Sequence, residues 1–599
     1  MKEPMNANEF LESEINDTPI DRIRHSTAHM MAQAIKRLWP NVKFAFGPTI
    51  DDGFYYDISI DDYQITMEDF EKIEAEMKNL VKENIKFERQ EISKEEALKF
   101  FSESNQEFKI DQIEKLNLPS YTIYKQGEFT DLCSGPHVNY TKKCKNFKLM
   151  KLSGAYFRGD AKNKQLQRIY GTSWETKEEL DLYLFRLEEV KKRDHRRLGQ
   201  VLDLFEFHEE APGCVFWQPN GTTLYEKLSE KSKRFHKKCG YHEVRTPIMF
   251  NKKLWEKSGH WKHYKENMFI INDPEAVAEG QDGTEGVNTM SLKPMNCPSH
   301  MLMFKNKKRS YKELPVRFQD NGVLHRNELS GALSGLTRVR QFCQDDAHLF
   351  VRDIQIENEV NNVMEMISKI YSAFNMPFKF FLSTRDPDKF MGDVALWDKA
   401  EASLEGVLKS GGFEYQMKPK DAAFYGPKID CIVFDSIGRG HQCATIQLDF
   451  QLPINFDLSY IDENNSESRP VVIHRAIYGS FERFIGILIE HYAGNFPTWL
   501  APVQVKVLPI SEKVHDYAHK VCDDLLAIGI RAEIDERNET MNAKIRDNKM
   551  KKIPYLLVIG PKEEESKSVS YRSREDDSQK TLSFDEFKVQ VSEENKFDF

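Results

Sequence analysis

No run of about 18 apolar residues occurs in the chain, which excludes an ordinary membrane-crossing helix. The opening segment, MKEPMNANEFLESEIND, is acidic and polar and lacks signal-peptide or transit character. Internal repeats and low-complexity tracts are missing, so solenoid and fibrous architectures drop out. The nine cysteines lack the spacing of a small disulfide scaffold and suit a reducing cytosol, so a cytoplasmic protein is expected. A basic excess is also missing: the net charge is −10, which gives no sign of a bulk nucleic-acid coat and leaves room for a local basic face that binds nucleic acid. What is present is an ordinary globular balance, 40% apolar and 30% charged, in 599 residues, enough for several domains.

Residues 1–17 read as a disordered lead-in. A helix is expected from Pro19, a first-turn proline, to Leu38, stopped by Pro40. Short strands and helices follow to about residue 172, an α+β unit. One continuous helix is expected over about 175–199, with Leu180, Leu184 and Leu187 as its apolar stripe and a basic C-terminal end; residues 173–204 form a linker. Residues 205–498 predict a mostly antiparallel sheet flanked by helices. Residues 499–599 alternate as a small α/β domain, with Ser511 capping a helix whose buried face carries Val514, Ala518, Val521, Leu525 and Ile528.

Chemistry concentrates in four fragments: residues 317–350 (RFQDNGVLHRNELSGALSGLTRVRQFCQDDAHLF), KPMNCPSH around Cys297, FYGPKID around Tyr425, and HRAIYGSFERF from His474. The first reads as two β-runs joined by a Gly/Ser loop, presenting Arg326, Glu328, Arg338 and Arg340. Several arginines beside an acid and an aromatic suit a nucleoside-triphosphate site, because a planar guanidinium grips phosphate oxygens with two hydrogen bonds at once. Any one of these arginines alone reads as an ordinary surface ion pair. Cys297, His348 and His474 lie too far apart in sequence for a local metal pattern, and by spacing alone they are a buried cysteine and two core histidines.

HRNE, TRVRQFCQDDAH and HRAIYGSFERF, with KPMNCP upstream, resemble the class II threonyl-tRNA synthetases, and the match runs from about Pro19 to the C-terminus. The resemblance implies a multidomain α+β and α/β protein: an N-terminal α+β editing domain, an antiparallel-sheet class II core and a C-terminal α/β anticodon-binding domain. It implies that Arg326 and Arg338 hold ATP phosphates, that Arg483 lies against the adenine and reaches the γ-phosphate, that Phe342 stacks the other adenine face, and that Glu328 sits near the adenine amino group. Fixed cations there, with magnesium, would stabilise the charge that builds as a carboxylate attacks the α-phosphorus. It makes Cys297, His348 and His474 zinc ligands, three donors that leave an open position. Asp346, Tyr425, Lys428 and Gln447 fall at or near the amino-acid pocket.

A zinc that binds the amine and hydroxyl of threonine would reject valine, which an apolar pocket separates poorly. Serine also carries a β-hydroxyl, and a missing methyl is worth only ~1–3 kcal/mol, so a second, hydrolytic site is expected. His25 and His29, four apart on one predicted helix, share a face, and Cys133 and His137 form a second pair at a turn through Gly135 and Pro136. By residue type alone these four could bind zinc. By resemblance they line the editing cleft that removes serine from mischarged tRNA, with Asp131 and Lys109 as helpers. Asn538, Glu539, Lys544, Arg546 and Arg572 fall near anticodon-reading positions.

The expected partners are therefore L-threonine, ATP, the threonine tRNA and, through a first motif near residues 241–247 (YHEVRTP), a second copy of the chain. Two departures stand out. The small extra N-terminal domain of many bacterial relatives is expected to be missing, and NDPEAVAEGQDGTEGVNTM, before KPMNCP, reads as an exposed acidic loop longer than usual. A non-catalytic RNA-binding relative and a zinc hydrolase built on His25 and His29 are the alternatives. The first usually requires decay of the arginines or ligands, all present here, and the second leaves the arginines idle.

Overall fold

The computed structural model describes residues 18–597, so the expectation for residues 1–17 lies outside the described residues. The chain divides into two compact units at Glu188–Glu189.

The first unit begins with the helix Pro19–Leu38, whose N-cap Thr18 accepts a hydrogen bond from the Asp21 amide at 3.3 Å. Ala28, Met31, Ala32 and Ile35 bury this helix against an antiparallel sheet built from Gly53–Ser59, Phe147–Tyr156 and Gln165–Ser173. A second antiparallel sheet, Phe87–Ser93, Ser120–Gln126 and Phe129–Leu132, carries the helices Lys94–Glu103 and Glu107–Leu116.

The expected single helix over 175–199 is instead two, Lys177–Arg193 and His195–Val201. The Asp194 carboxylate accepts from the Arg196 amide at 2.8 Å, and this N-cap starts a new helix where periodicity continued the old one. Leu180 is buried, whereas Leu184 and Leu187 are only half-buried.

The second unit is organised by an eight-stranded sheet. Its strands are β1 (His242–Glu243), β2 (Val316–His325), β3 (Gln341–Val351), β4 (Phe378–Ser383), β5 (Tyr415–Lys418), β6 (Lys428–Phe434), β7 (Gly440–Asp449) and β8 (Val471–Ala476), in the spatial order β1-β2-β3-β8-β7-β6-β4-β5. Pairing is antiparallel as expected, except at the two edges, where β1/β2 and β4/β5 run parallel. The register sets Phe318, His348, His474, Gln447 and Lys428 in one row across β2, β3, β8, β7 and β6. Residues opposite one another on paired strands share a face, so this row lines one side of the sheet. The helices Ile356–Ala373, Val394–Ser410 and Phe481–His491 carry the apolar side chains of the large core.

The 273–290 segment is more built than a loop. Asp273 caps the short helix Pro274–Ala278, and Glu285 is held by Lys252 and Lys265, each at 3.0 Å. The C-terminal sheet runs Ala532–Ile534, Val505–Pro509, Tyr555–Ile559, Ser568–Ser573, Lys580–Ser583, parallel over the first three strands and antiparallel after. Two details differ from expectation here. Ser511 makes no side-chain cap, because a 3-10 turn, Glu512–Val514, precedes the helix His515–Ala527. Ile528 is 45% exposed, because the helix has already ended when the chain reaches it.

Candidate active sites

β3 is extended, so Gln344, Asp346 and His348 alternate onto the face that holds His474 and Gln447. Cys297 opens the helix Cys297–Lys305, and its thiol joins the two imidazoles there. One donor atom from each of Cys297, His348 and His474 lies within 4.8 Å of the others. All three side chains are buried.

Each imidazole is hydrogen-bonded through one ring nitrogen only. His474 gives Nε2 to Asp449 at 2.8 Å, and His348 shares Nδ1 with His300 Nδ1 at 2.8 Å. His474 Nδ1 and His348 Nε2 are buried without a hydrogen-bond partner. Burial holds the His348 imidazole well below its ordinary pKa and the Cys297 thiol well above its own. Imidazoles with one free, buried nitrogen each, oriented by partners on the other, suit a coordinated cation, and a cation would deprotonate the thiol. The residues present fit a metal.

This trio borders a cleft of about 390 Å³, also lined by Tyr264, Arg326, Asp346, Tyr425, Lys428 and Gln447. The Tyr425 hydroxyl donates to Gln447 Oε1 at 2.8 Å, and Lys428 pairs with Asp430 at 2.8 Å. Asp346 accepts from Asn296 Nδ2 at 3.1 Å, and burial raises its pKa. The Arg326 guanidinium lies 5.0 Å from the centre of the Phe342 ring. Arg338 faces Glu328 at 3.9 Å with 57% of its side chain exposed, and Arg483, in the first turn of Phe481–His491, donates to the Thr337 carbonyl at 3.3 Å. All four fragments therefore contribute to the lining of this one cleft.

A second cluster lies in the first unit. The helix Pro19–Leu38 presents His25 and His29, and the turn after Phe129–Leu132 presents Cys133 and His137, the four donor atoms lying within 4.8 Å of one another. Gly135 takes φ +76° in that turn, and a Cβ there would sit 2.2 Å from the Tyr124 hydroxyl. Cys133 Sγ lies 3.2 Å from His25 Nε2 and 3.3 Å from His137 Nε2. His137 stacks on Phe87, and Ser26 Oγ is 3.1 Å from its Nδ1. Behind the histidines, Lys109 pairs with Asp131 at 2.7 Å, and Tyr56 donates to the same carboxylate. Burial lowers His25 to about 4 and His29 and His137 well below the ordinary value, and it pushes the Cys133 thiol up to about 12.

Three family models match segments of the chain. The tRNA synthetase class II core domain (G, H, P, S and T) matches residues 282–492, the anticodon binding domain residues 504–594, and the threonyl and alanyl tRNA synthetase second additional domain residues 121–170. The threonine--tRNA ligase of Acetivibrio thermocellus is 50% identical over 557 residues, 93% of this chain and 86% of that protein. The chain belongs to the threonine--tRNA ligase family. The ligase of Clostridium botulinum strain Kyoto is likewise 50% identical, over 96% of this chain and 88% of its own length. A solved structure of the RNA binding domain of threonyl-tRNA synthetase from Cryptosporidium parvum Iowa II aligns with a TM-score of 0.63 at 44% identity, covering 67% of this chain and 98% of that one.

In the C-terminal domain of this ligase-family chain, Asn538 and Glu539 stand exposed in the loop before the helix Met541–Met550. Arg546 is 71% exposed, paired with the neighbouring Asp547. Arg572 donates to the Asp577 carbonyl at 3.2 Å. Lys544 is buried, and its ammonium donates to the Asp535 carbonyl at 2.9 Å, so in this structure it braces the loop from within. Asp449, His300, Asn296 and Tyr56 escaped sequence reasoning. His300 had a signal, since it stands three residues after Cys297 on one helix and so shares its face. Asp449 and Tyr56 meet their partners only through the sheets.

Among the described residues no helix is long and apolar enough to cross a membrane.

Proposed function

We propose that the chain activates L-threonine with ATP, transfers the threonyl group to the 3′ end of its tRNA, and hydrolyses seryl-tRNA formed in error. The observation that carries this reading is the convergence of Cys297, His348 and His474, with two free imidazole nitrogens, on a cleft shared with Arg326, Asp346 and Gln447.

Zinc held by Cys297, His348 and His474 would supply a Lewis-acidic open position for the amine and β-hydroxyl of threonine. Asp346 offers its carboxylate to the amine, and Gln447, oriented by Tyr425, faces the hydroxyl; Lys428 closes the row. Arg326 and Arg338 take the ATP phosphates together with magnesium. Phe342 and Arg483 sandwich the adenine, and Glu328 meets its amino group. The attacking threonine carboxylate needs no general base. The chemical demand is for fixed positive charge at the α-phosphate, which reduces the barrier without reorganisation.

In the first unit, His25, His29 and His137 are neutral at physiological pH, so an imidazole nitrogen is free to accept a proton from the water that attacks the seryl ester. Lys109, anchored by Asp131, supplies positive charge beside them. The working divisions are editing over 18–172, linker over 173–204, catalysis over 205–498 and anticodon binding over 499–599. Asn538, Glu539, Arg546 and Arg572, steadied by Lys544, meet the unpaired anticodon bases. A cytoplasmic homodimer is the working state, with the exposed Ile248 and Met249 beside residues 241–247 as the apolar part of its interface.

ATP–pyrophosphate exchange with each amino acid tests the reading. Exchange with threonine is expected; exchange with another amino acid and none with threonine overturns it.

A further inference from the structure

Asp194, His195 and Glu490 form a third cluster whose donor atoms lie within 4.8 Å of one another. Both ring nitrogens of His195 are already committed. Nδ1 is 2.6 Å from Glu490 Oε1, and Nε2 accepts from the Leu336 amide at 3.0 Å. The His195 backbone amide donates to the same Glu490 oxygen at 3.1 Å. The ring therefore has no lone pair to offer a cation, and its tautomer is fixed: proton on Nδ1, acceptor on Nε2.

Leu336 belongs to the loop that joins β2 to β3 and carries Arg338. The loop is tight there: Ser334 donates to the Arg338 carbonyl at 3.1 Å, and Thr337 to the Ser334 carbonyl at 3.0 Å. Gly335 takes φ +49°, and a Cβ on it would sit 2.2 Å from His195 Nε2, so the loop is shaped around the ring. Gly486 leaves room for Leu336 on the other side, where a Cβ would meet its side chain at 3.1 Å. Glu490 lies seven residues after Arg483 on the helix Phe481–His491, two turns along the same face. This one helix thus holds two successive loop residues: Thr337 through Arg483, and Leu336 through Glu490 and His195.

We propose that His195 is a positioning residue for ATP, fixing the turn that presents Arg338 relative to Arg483. The inference rests on the ATP roles given to those two arginines above. His195 acts through the loop backbone and touches no substrate.

The test compares wild type, His195→Phe, which keeps a ring but no acceptor, and His195→Gln, whose amide oxygen can accept from Leu336. KM for ATP, KM for threonine and bound zinc are measured for each. The phenylalanine chain is expected to raise KM for ATP by about ten- to a hundred-fold, the scale of a small misplacement near the chemistry. Its threonine KM and zinc content should stay near wild type, and the glutamine chain should recover part of the loss. Equal effects on both substrates, or none, overturn the proposal. Should the phenylalanine chain fail to fold, the glutamine chain decides, because one amide cannot reproduce both ring bonds: an unchanged KM for ATP overturns the proposal, and a selective rise supports it. Wild type without threonine-dependent exchange sinks the underlying reading; active wild type with indistinguishable variants sinks only this inference.

Discussion

His348 and His474 stand directly opposite one another on neighbouring strands, their ring centroids 4.6 Å apart, and each is turned by a different partner so that one buried nitrogen stays free. Asp449 holds one ring and His300 the other. Substituting a residue that orients a metal ligand typically costs 10–100-fold in affinity. Asp449→Ala is therefore expected to weaken zinc binding by about that factor and to raise KM for threonine, while tRNA affinity is unchanged. Competition with a chelator of known affinity measures it.

The second cluster predicts a separation of activities. His25→Ala or Cys133→Ala should leave threonylation near wild type while deacylation of seryl-tRNA falls by about 10²–10⁴, the usual contribution of a positioned acid–base group. Accumulation of seryl-tRNA in a charging assay with serine checks it. Undiminished deacylation would remove the hydrolytic role from these residues.

Glu482, beside Arg483 and buried, accepts from the Cys343 amide at 2.9 Å, and burial lifts its pKa from the usual 4.5 to about 7. The unfolded chain ionises near 4.5 while the folded one keeps its proton to about 7. Stability from this group is therefore complete below 4.5 and is lost as pH rises through 7. A shift of that size corresponds to about 3 kcal/mol. Glu482→Gln should flatten the fall in unfolding free energy between those pH values, as read by denaturant titrations.

At the C-terminal domain, Asn538→Ala should raise KM for tRNA several-fold, roughly the 1 kcal/mol of one hydrogen bond, with ATP–pyrophosphate exchange unaltered. Lys544→Ala should instead lower the domain's thermal midpoint, because its ammonium is spent on the Asp535 carbonyl. Parallel kinetics and calorimetry separate the two.

Local rules read much of this molecule. Pro19 and Pro40 bracket the first helix, whose spacing alone puts His25 and His29 on one face, and short strands bounded by Gly, Pro or Asp predict the mostly antiparallel central sheet. Cys297, His348 and His474 acquired meaning only through family resemblance, because strand register joins the two histidines and a separate helix, Cys297–Lys305, brings the thiol to them. Their orienting partners stayed hidden for the same reason: Asp449 lies 25 residues from His474, and His300 lies 48 from His348. Where local reading failed, a polar side chain or a turn had outcompeted periodicity, as at Asp194, which restarts a helix, and at Ser511, where a 3-10 turn intervenes.

Metal analysis of the purified chain, paired with threonine-dependent ATP–pyrophosphate exchange, bears most directly on the zinc-centred selection of threonine. About one zinc per chain is expected, with exchange stimulated by threonine, and both should vanish in Cys297→Ser. Full zinc content in Cys297→Ser, or exchange that responds to another amino acid and not to threonine, would contradict it.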